Sequence, residues 1–112
     1  VAPSTKELRL REVTSACNGF VYAASLMGVT GIRTANSNQA EDLVSRIRSV
    51  TSLPVAVGLG VSNAAQAKEV SKFADGVIVG SAFIAKVQSA KDFDSALVAV
   101  ENLARELKAG IN

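Results

Sequence analysis

The sequence predicts an α/β fold with parallel strands, on the basis of three observations. Short apolar runs without polar alternation occur at residues 19–24, 55–57 and 77–79, as is typical of strands buried on both faces. Longer segments with helical apolar spacing lie between these runs. The last two runs end in glycine turns, at Gly58-Leu59-Gly60 and at Gly80-Ser81. Strands that alternate with helices pair in parallel through right-handed crossovers.

Caps and apolar spacing predict the bounds of the elements. Ser4 begins a capping-box pattern with a glutamate three residues later, and Ser62 is the predicted N-cap of a later helix. Gly110 is predicted to stop the last helix, and Arg46 and Arg48 are predicted to face outward. In chain order the predicted elements are a strand stub at 1–3, a helix from Ser4 to about Ala16, a strand at 19–24, a helix over 39–50, a strand at 55–57, a helix from Ser62 to about Lys72, a strand at 77–79, a short helix over 82–87 and a helix from Asp92 to about Lys108.

Two architectures fit this order of elements: an open doubly wound sheet and a segment of a closed barrel. In barrels the phosphate site commonly uses the loops after the last two strands and a short extra helix, and the glycine turns and the helix at 82–87 match that arrangement. We therefore predict the C-terminal portion of a (β/α)8 TIM barrel, with about three βα units and parallel strands. A full barrel takes about 250 residues. Residues 1–112 are accordingly predicted to be the C-terminal part of a single TIM-barrel domain whose N-terminal half is absent.

The composition excludes several classes of site. There is no histidine, so Ser-His-Asp, Cys-His and HExxH sites are excluded. The lone Cys17 is interpreted as a small buried hydrophobe, and neither a metal nor a cofactor is expected. The net charge is +2 and the basic residues are scattered beside acidic ones, so no nucleic-acid surface is predicted. No apolar run is long enough to predict a transmembrane helix, and the single cysteine fits a reducing cytoplasm.

The two glycine turns predict an anion site. They follow consecutive strands, so they are expected side by side, where bare backbone N–H groups at helix N-termini bind phosphate. The alternative is that Gly60 and Gly80 are ordinary turn residues. The chain has neither GxGxxG nor GxxxxGK[ST], which disfavours dinucleotide and nucleoside-triphosphate sites.

The long connection at residues 25–38 is the second candidate feature. Its segment Gly28-Val29-Thr30-Gly31 is interpreted as a lid with glycine hinges, against the alternative of a surface loop without a role. Tyr22 lies near the carboxyl end of a strand, where it either points its hydroxyl into a site or packs in the core. Asp75 and Asp92 are interpreted as structural carboxylates, so no general acid or base is predicted.

The segments GFVYAASLMGVTG and LPVAVGLGVSNAAQAKEVSKFADGVIVGSAF closely resemble the C-terminal part of the tryptophan synthase α subunit. The resemblance covers essentially the whole chain. It implies a (β/α)8 barrel, a lyase that splits indole-3-glycerol phosphate into indole and glyceraldehyde 3-phosphate in tryptophan biosynthesis. It also implies a β subunit as partner, which carries pyridoxal phosphate and receives the indole.

The resemblance also implies roles for residues that match the family's motifs. Two departures are visible: Leu26-Met27 stand where many members have Arg-Ala, and Leu59 stands where Phe is common. The implied roles are phosphate binding through backbone N–H groups for Gly31, Gly60, Gly80 and Ser81, a substrate pocket for Tyr22, Leu59 and Ile78, and a closing loop for Gly28 and Thr30.

The family's general acid/base Glu and its indole-binding Asp belong to the N-terminal half, and no residue here matches either. The isolated segment is therefore predicted not to turn over substrate. Two alternatives stay open from the residues: another phosphate-binding barrel of amino-acid biosynthesis, with isomerase or synthase chemistry, and a non-catalytic half-barrel that self-associates through its open sheet edges.

Overall fold

The fold is a parallel sheet with helices between its strands. The structure, a computed structural model, describes residues 1–25, 35–58 and 60–112, and of residues 35–37 it describes only the backbone. The elements are α1 (Glu7–Ala16), β1 (Val21–Ala24), α2 (Ala35–Arg48), β2 (Val55–Gly58), α3 (Ala64–Ser71), β3 (Gly76–Ile78), α4 (Ser81–Ser89) and α5 (Phe93–Ile111). This order confirms the predicted alternation of strands and helices.

The three strands pair in parallel in the order β1-β2-β3. Val21 lies opposite Val55, and Val57 lies opposite Val77. The N-terminal stub also borders the sheet, because the Val1 ammonium group donates to the Tyr22 carbonyl at 2.9 Å and the Val1 carbonyl accepts from the Ala24 N–H at 2.7 Å. Consecutive strands are therefore neighbours, as in a barrel segment, and the predicted α/β class with parallel strands is confirmed.

Within the described residues the strands are buried on one face, whereas the sequence predicts burial on both. Val21, Ala23, Val55 and Val57 face the helices and are at most 1% exposed, whereas Tyr22 between them is 44% exposed. The helices cover one face, and the other face is open within the described chain. We call this second surface the open face; it carries Tyr22, Ala56, Gly58, Gly76 and Ile78.

The core lies between the sheet and the helices. The predicted apolar spacing of α2 is confirmed, since Leu43, Val44 and Ile47 are fully buried. Helix α5 buries Leu103 and Leu107, but it begins with exposed apolar side chains. These exposed side chains include Phe93 and Leu97.

Three predicted helix boundaries are wrong for local reasons. Helix α1 has Lys6 at its N-cap without a side-chain cap, because Ser4 lies in a turn that the Thr5 N–H closes by donating to the Ala2 carbonyl at 2.9 Å. Asn63, rather than Ser62, caps α3. Gly110 lies inside α5, where a Cβ atom would sit 2.6 Å from the Ala64 carbonyl oxygen. This glycine lets α5 approach α3 closely.

Smaller shifts affect the remaining bounds. Helix α2 begins at Ala35, so the predicted connection over residues 25–38 is shorter than expected. Strand β3 begins and ends one residue earlier than predicted. Helix α4 extends one residue before and two residues after its predicted bounds. None of the helices in the described ranges is long and apolar enough to cross a membrane.

Arg46 and Arg48 do not simply face solvent as predicted. Arg46 donates to the Pro3 carbonyl at 3.1 Å and also to the Thr5 carbonyl. Arg48 donates to the Phe73 carbonyl at 2.8 Å and to the Asp75 carboxylate at 3.1 Å. Both arginines therefore tie α2 to neighbouring segments.

Candidate functional site

A pocket of about 190 Å³ lies at the carboxyl ends of the strands. Its walls come from β1, from the turn after β2, from β3 and from the start of α4. Residues from four parts of the chain that were predicted to act together are therefore neighbours. The lining residues are Tyr22, Gly60, Val61, Ile78, Gly80 and Ser81.

The turn after β2 needs its glycine. Gly60 has a φ of +78°, a left-handed backbone that side chains with a Cβ rarely adopt. Val61 follows and is only 3% exposed, because its side chain packs into the core. The turn thus bends sharply at the pocket and is anchored in the core one residue later.

The start of α4 forms the opposite wall. Gly80 is the N-cap with φ −125° and ψ −75°, so it is not left-handed, and no described atom lies within 4 Å of where its Cβ would be. Ser81 is the first helical residue, and in the part of the chain that the structure describes no side chain caps this helix. The Phe83 N–H donates to the Gly80 carbonyl oxygen at 3.0 Å, so the N–H groups of Ser81 and Ala82 are those that the start of α4 offers to an anion.

Tyr22 lies on the open face and not in the core. Its hydroxyl oxygen would be 2.9 Å from a Cβ on Gly58, so the ring extends along the strand toward the pocket. The same Cβ would be 2.8 Å from the Cβ of Ile78. Gly58 therefore lets Tyr22 and Ile78 meet across β2, a role that the sequence analysis missed.

The family model described as tryptophan synthase alpha chain matches residues 1–112. The chain belongs to this family. The match confirms the resemblance and decides against the other phosphate-binding barrels.

Curated relatives agree over nearly the whole chain. The tryptophan synthase alpha chain of Streptomyces avermitilis is 61% identical over 111 residues, which is 99% of this chain and 40% of the relative. That of Streptomyces coelicolor is 59% identical over 111 residues, covering 99% of this chain and 41% of the relative. The chain thus spans about two fifths of the length of these relatives.

Solved structures show the same fold. Tryptophan synthase from M. tuberculosis in its aminoacrylate-bound form matches with a TM-score of 0.80 and 39% identity, over 100% of this chain and 38% of that chain. A mutant tryptophan synthase alpha-subunit from the hyperthermophile Pyrococcus furiosus matches with a TM-score of 0.76 and 30% identity, over 97% of this chain and 43% of that chain. These matches confirm that the α/β fold is a partial segment of a TIM barrel.

Several predicted features lie outside the described residues. They are Leu59, the departure Leu26-Met27, and the predicted lid residues Gly28, Thr30 and Gly31.

The two predicted structural carboxylates lie away from the pocket. Asp75 accepts from the Val55 N–H at 2.9 Å and from Arg48, and these two bonds hold the pKa of its carboxyl below the usual value. Asp92 caps α5 by accepting from the Ser95 N–H at 2.7 Å, which lowers the pKa of its carboxyl as well. Within residues 1–25, 35–58 and 60–112, no three acidic or cysteine side chains come together as a metal site.

Proposed function

We propose that this chain supplies the phosphate site and the closing loop of a tryptophan synthase alpha chain. The substrate is indole-3-glycerol phosphate, and the products are indole and glyceraldehyde 3-phosphate. The observation that carries the proposal is the pocket that unites Gly60, Gly80 and Ser81 at the carboxyl ends of parallel strands. Membership of the tryptophan synthase alpha chain family supports this substrate for that pocket.

Backbone N–H groups are the proposed phosphate ligands. Both Gly60 and Ser81 are exposed at the pocket, and the uncapped start of α4 offers N–H groups and the positive end of its dipole. We propose that Gly31 adds a further N–H from the closing loop, on which Gly28 and Thr30 also lie. A phosphate held in this way needs no charged side chain.

The rest of the substrate is proposed to lie along the open face. Tyr22 and Ile78 would contact the indole and glycerol parts, together with Leu59. No described carboxylate lines the pocket. We therefore infer that the proton transfers of the cleavage are made by residues outside this chain, and that the isolated chain does not release indole.

The family suggests the partner and the place of the reaction. We propose that the complete protein binds a tryptophan synthase beta subunit, which carries the pyridoxal phosphate, whereas this chain binds no cofactor. A cytoplasmic location is proposed from the single cysteine. Self-association of the isolated chain through its open sheet edges stays a prediction, which sedimentation would check.

A chimera tests the proposed activity. Residues 1–112 would replace the matching segment of the Streptomyces avermitilis alpha chain, which is 61% identical. We expect the chimera to release indole from indole-3-glycerol phosphate and the 112-residue chain to release none. Indole release by the isolated chain, or a folded chimera without activity, would contradict the proposal.

Two substitutions of Gly80 that differ in charge test the phosphate site. Asp and Asn are both favourable N-caps of similar size, and the space around Gly80 is open among the described residues. We expect Gly80→Asp to weaken binding of glyceraldehyde 3-phosphate by about tenfold or more relative to Gly80→Asn, because only Asp places a negative charge beside the phosphate. Equal dissociation constants for the two variants would argue against a phosphate at this helix.

A further inference from the structure

Gln66 is a buried polar side chain that does not line the pocket. It lies in the first turn of α3 and is 2% exposed. Its side-chain oxygen accepts from the Ser62 N–H at 2.7 Å and from the Ser62 hydroxyl at 3.1 Å. The Gln66 N–H donates to the Asn63 side chain at 2.9 Å. Three hydrogen bonds therefore join Gln66 to two neighbouring residues.

These bonds hold the end of the turn that forms one wall of the pocket. Gly60 bends the turn, Val61 anchors it in the core, and Ser62 is held by Gln66. Each of the three consecutive residues is thus fixed in a different way: by a left-handed backbone, by apolar burial and by hydrogen bonds. The left-handed backbone of Gly60 and the burial of Val61 do not determine the direction of the Ser62 N–H. The hydrogen bonds to Gln66 therefore fix the position of Ser62 at the end of the turn.

We propose that Gln66 is a positioning residue for the phosphate site. Its amide oxygen holds Ser62, and through Ser62 it orients the backbone N–H groups of the turn toward the pocket. The inference rests on the proposed function, since it assigns a role within the same site. Without an acceptor at this position, the Ser62 N–H and hydroxyl would lose the partner that fixes them, and this end of the turn would be free to shift.

The expected kinetic signature follows from where the turn lies. The turn contacts the unreactive phosphate end of the substrate, so a shifted turn weakens binding without changing the chemical step. In the chimera, Gln66→Met keeps the length of the side chain and removes the amide oxygen. We expect the KM for indole-3-glycerol phosphate to rise about tenfold, with kcat changed less than about twofold. The dissociation constants of inorganic phosphate and glyceraldehyde 3-phosphate should rise by the same factor.

Two further variants separate positioning from stability. Val70 is fully buried on the same helix, so Val70→Ala should lower the melting temperature and leave KM unchanged. Ser62→Ala removes one of the two bonds to the Gln66 oxygen and should raise KM less than Gln66→Met does. If Gln66→Met does not fold, a rise in KM for Ser62→Ala supports the same conclusion. A KM in Val70→Ala that rises as much as in Gln66→Met would overturn the proposal.

Amide hydrogen exchange provides a readout that needs no ligand. Exchange at Ser62 should be faster in Gln66→Met than in Val70→Ala, and unchanged exchange would overturn the positioning role whatever the kinetics. Faster exchange with unaltered phosphate binding would also overturn that role, while the proposed function would stand. An unaltered chimera that binds neither phosphate nor glyceraldehyde 3-phosphate would instead overturn the proposed function, and the role of Gln66 with it.

Discussion

Gly58→Ala is expected to destabilise the chain although alanine suits a β-strand better than glycine does. Gly58 is the last residue of β2, at the centre of the three described strands. A Cβ at this position would lie 2.8 Å from both the Cβ and the carbonyl oxygen of Ile78, and 2.9 Å from the Tyr22 hydroxyl oxygen. Tyr22 can rotate away, but the two Ile78 atoms belong to the neighbouring strand and can only move with it.

The magnitude follows from two opposing effects. Replacing glycine by alanine at an unstrained position stabilises by about 0.4–1 kcal/mol, because the unfolded chain loses freedom. Forcing an extra methyl group into a packed site costs about 1–3 kcal/mol. Since two of the three contacts cannot be relieved by side-chain rotation, we expect a net loss of about 1–2 kcal/mol in the free energy of unfolding.

A second glycine on the open face provides the matched control. A Cβ on Gly76 would lie 3.4 Å from the Cβ of Ala56, which is an ordinary contact. Urea unfolding of the 112-residue chain, followed by circular dichroism, should show Gly58→Ala clearly less stable than Gly76→Ala. Adding Tyr22→Phe to Gly58→Ala should recover part of the loss, because it removes one of the close contacts. Equal stabilities of the two alanine variants would refute the reasoning.

Three further substitutions test other close contacts, backbone geometry and charge. Gly110→Ala should lower the free energy of unfolding in urea by about 1 kcal/mol despite the better helix propensity of alanine, because its Cβ would meet the Ala64 carbonyl oxygen. Ala109→Gly, at an exposed position, is the control for helix propensity alone. A stabilised Gly110→Ala would contradict the steric argument. Gly19 has a φ of +81° and open space around it among the described residues. Gly19→Ala should therefore lower the free energy of unfolding by about 1 kcal/mol through backbone strain, and Gly19→Asn should lower it less. Equal losses of stability for the two variants would argue against strain. Asp75→Asn should lose about 1 kcal/mol near pH 7, a modest value because the carboxylate is half exposed. Since the folded-state pKa of Asp75 lies below its ordinary value of 3.8, this stabilisation is present above that value and is lost as the pH falls through the folded-state pKa. A stability difference between the two proteins that does not shrink as the pH falls from 7 to below 3.8 would contradict it.

The sequence predicted the element types well because they depend on local spacing. The helical spacing of apolar residues in α2 and the short apolar runs in β1 and β2 can each be recognised from a few neighbouring residues. The choice of cap was harder to predict, because Ser62 and Asn63 are adjacent and either side chain can cap a helix. In the structure the Asn63 side chain accepts from the Gln66 N–H, while the Ser62 N–H and hydroxyl both donate to the Gln66 side chain.

The site was predicted as a set of glycine turns, but its walls and supports were not. Gly60 and Gly80 were identified because glycine after a strand is a visible signal. The sequence predicts Gly58 as part of the same turn as Gly60. Only the register of β2 against β3 shows that Gly58 lies beside Ile78. Arg46 and Arg48 looked like surface residues, since their acceptors are carbonyl and carboxylate groups from distant parts of the chain.

In a complete barrel the open face would line the interior, so its side-chain volumes constrain those of the other strands. Ala56, Gly58 and Gly76 contribute very little volume to this surface, and bulky branched residues normally fill a barrel interior. Within the chain, Tyr22 and Ile78 supply the bulk on this surface, and side chains from the rest of a complete barrel would have to fill the space above the three small residues. A larger side chain at one of these positions would need a smaller one opposite it, so size changes on the two sides should occur as compensating pairs. Exchange of segments between relatives should succeed only where these volumes match.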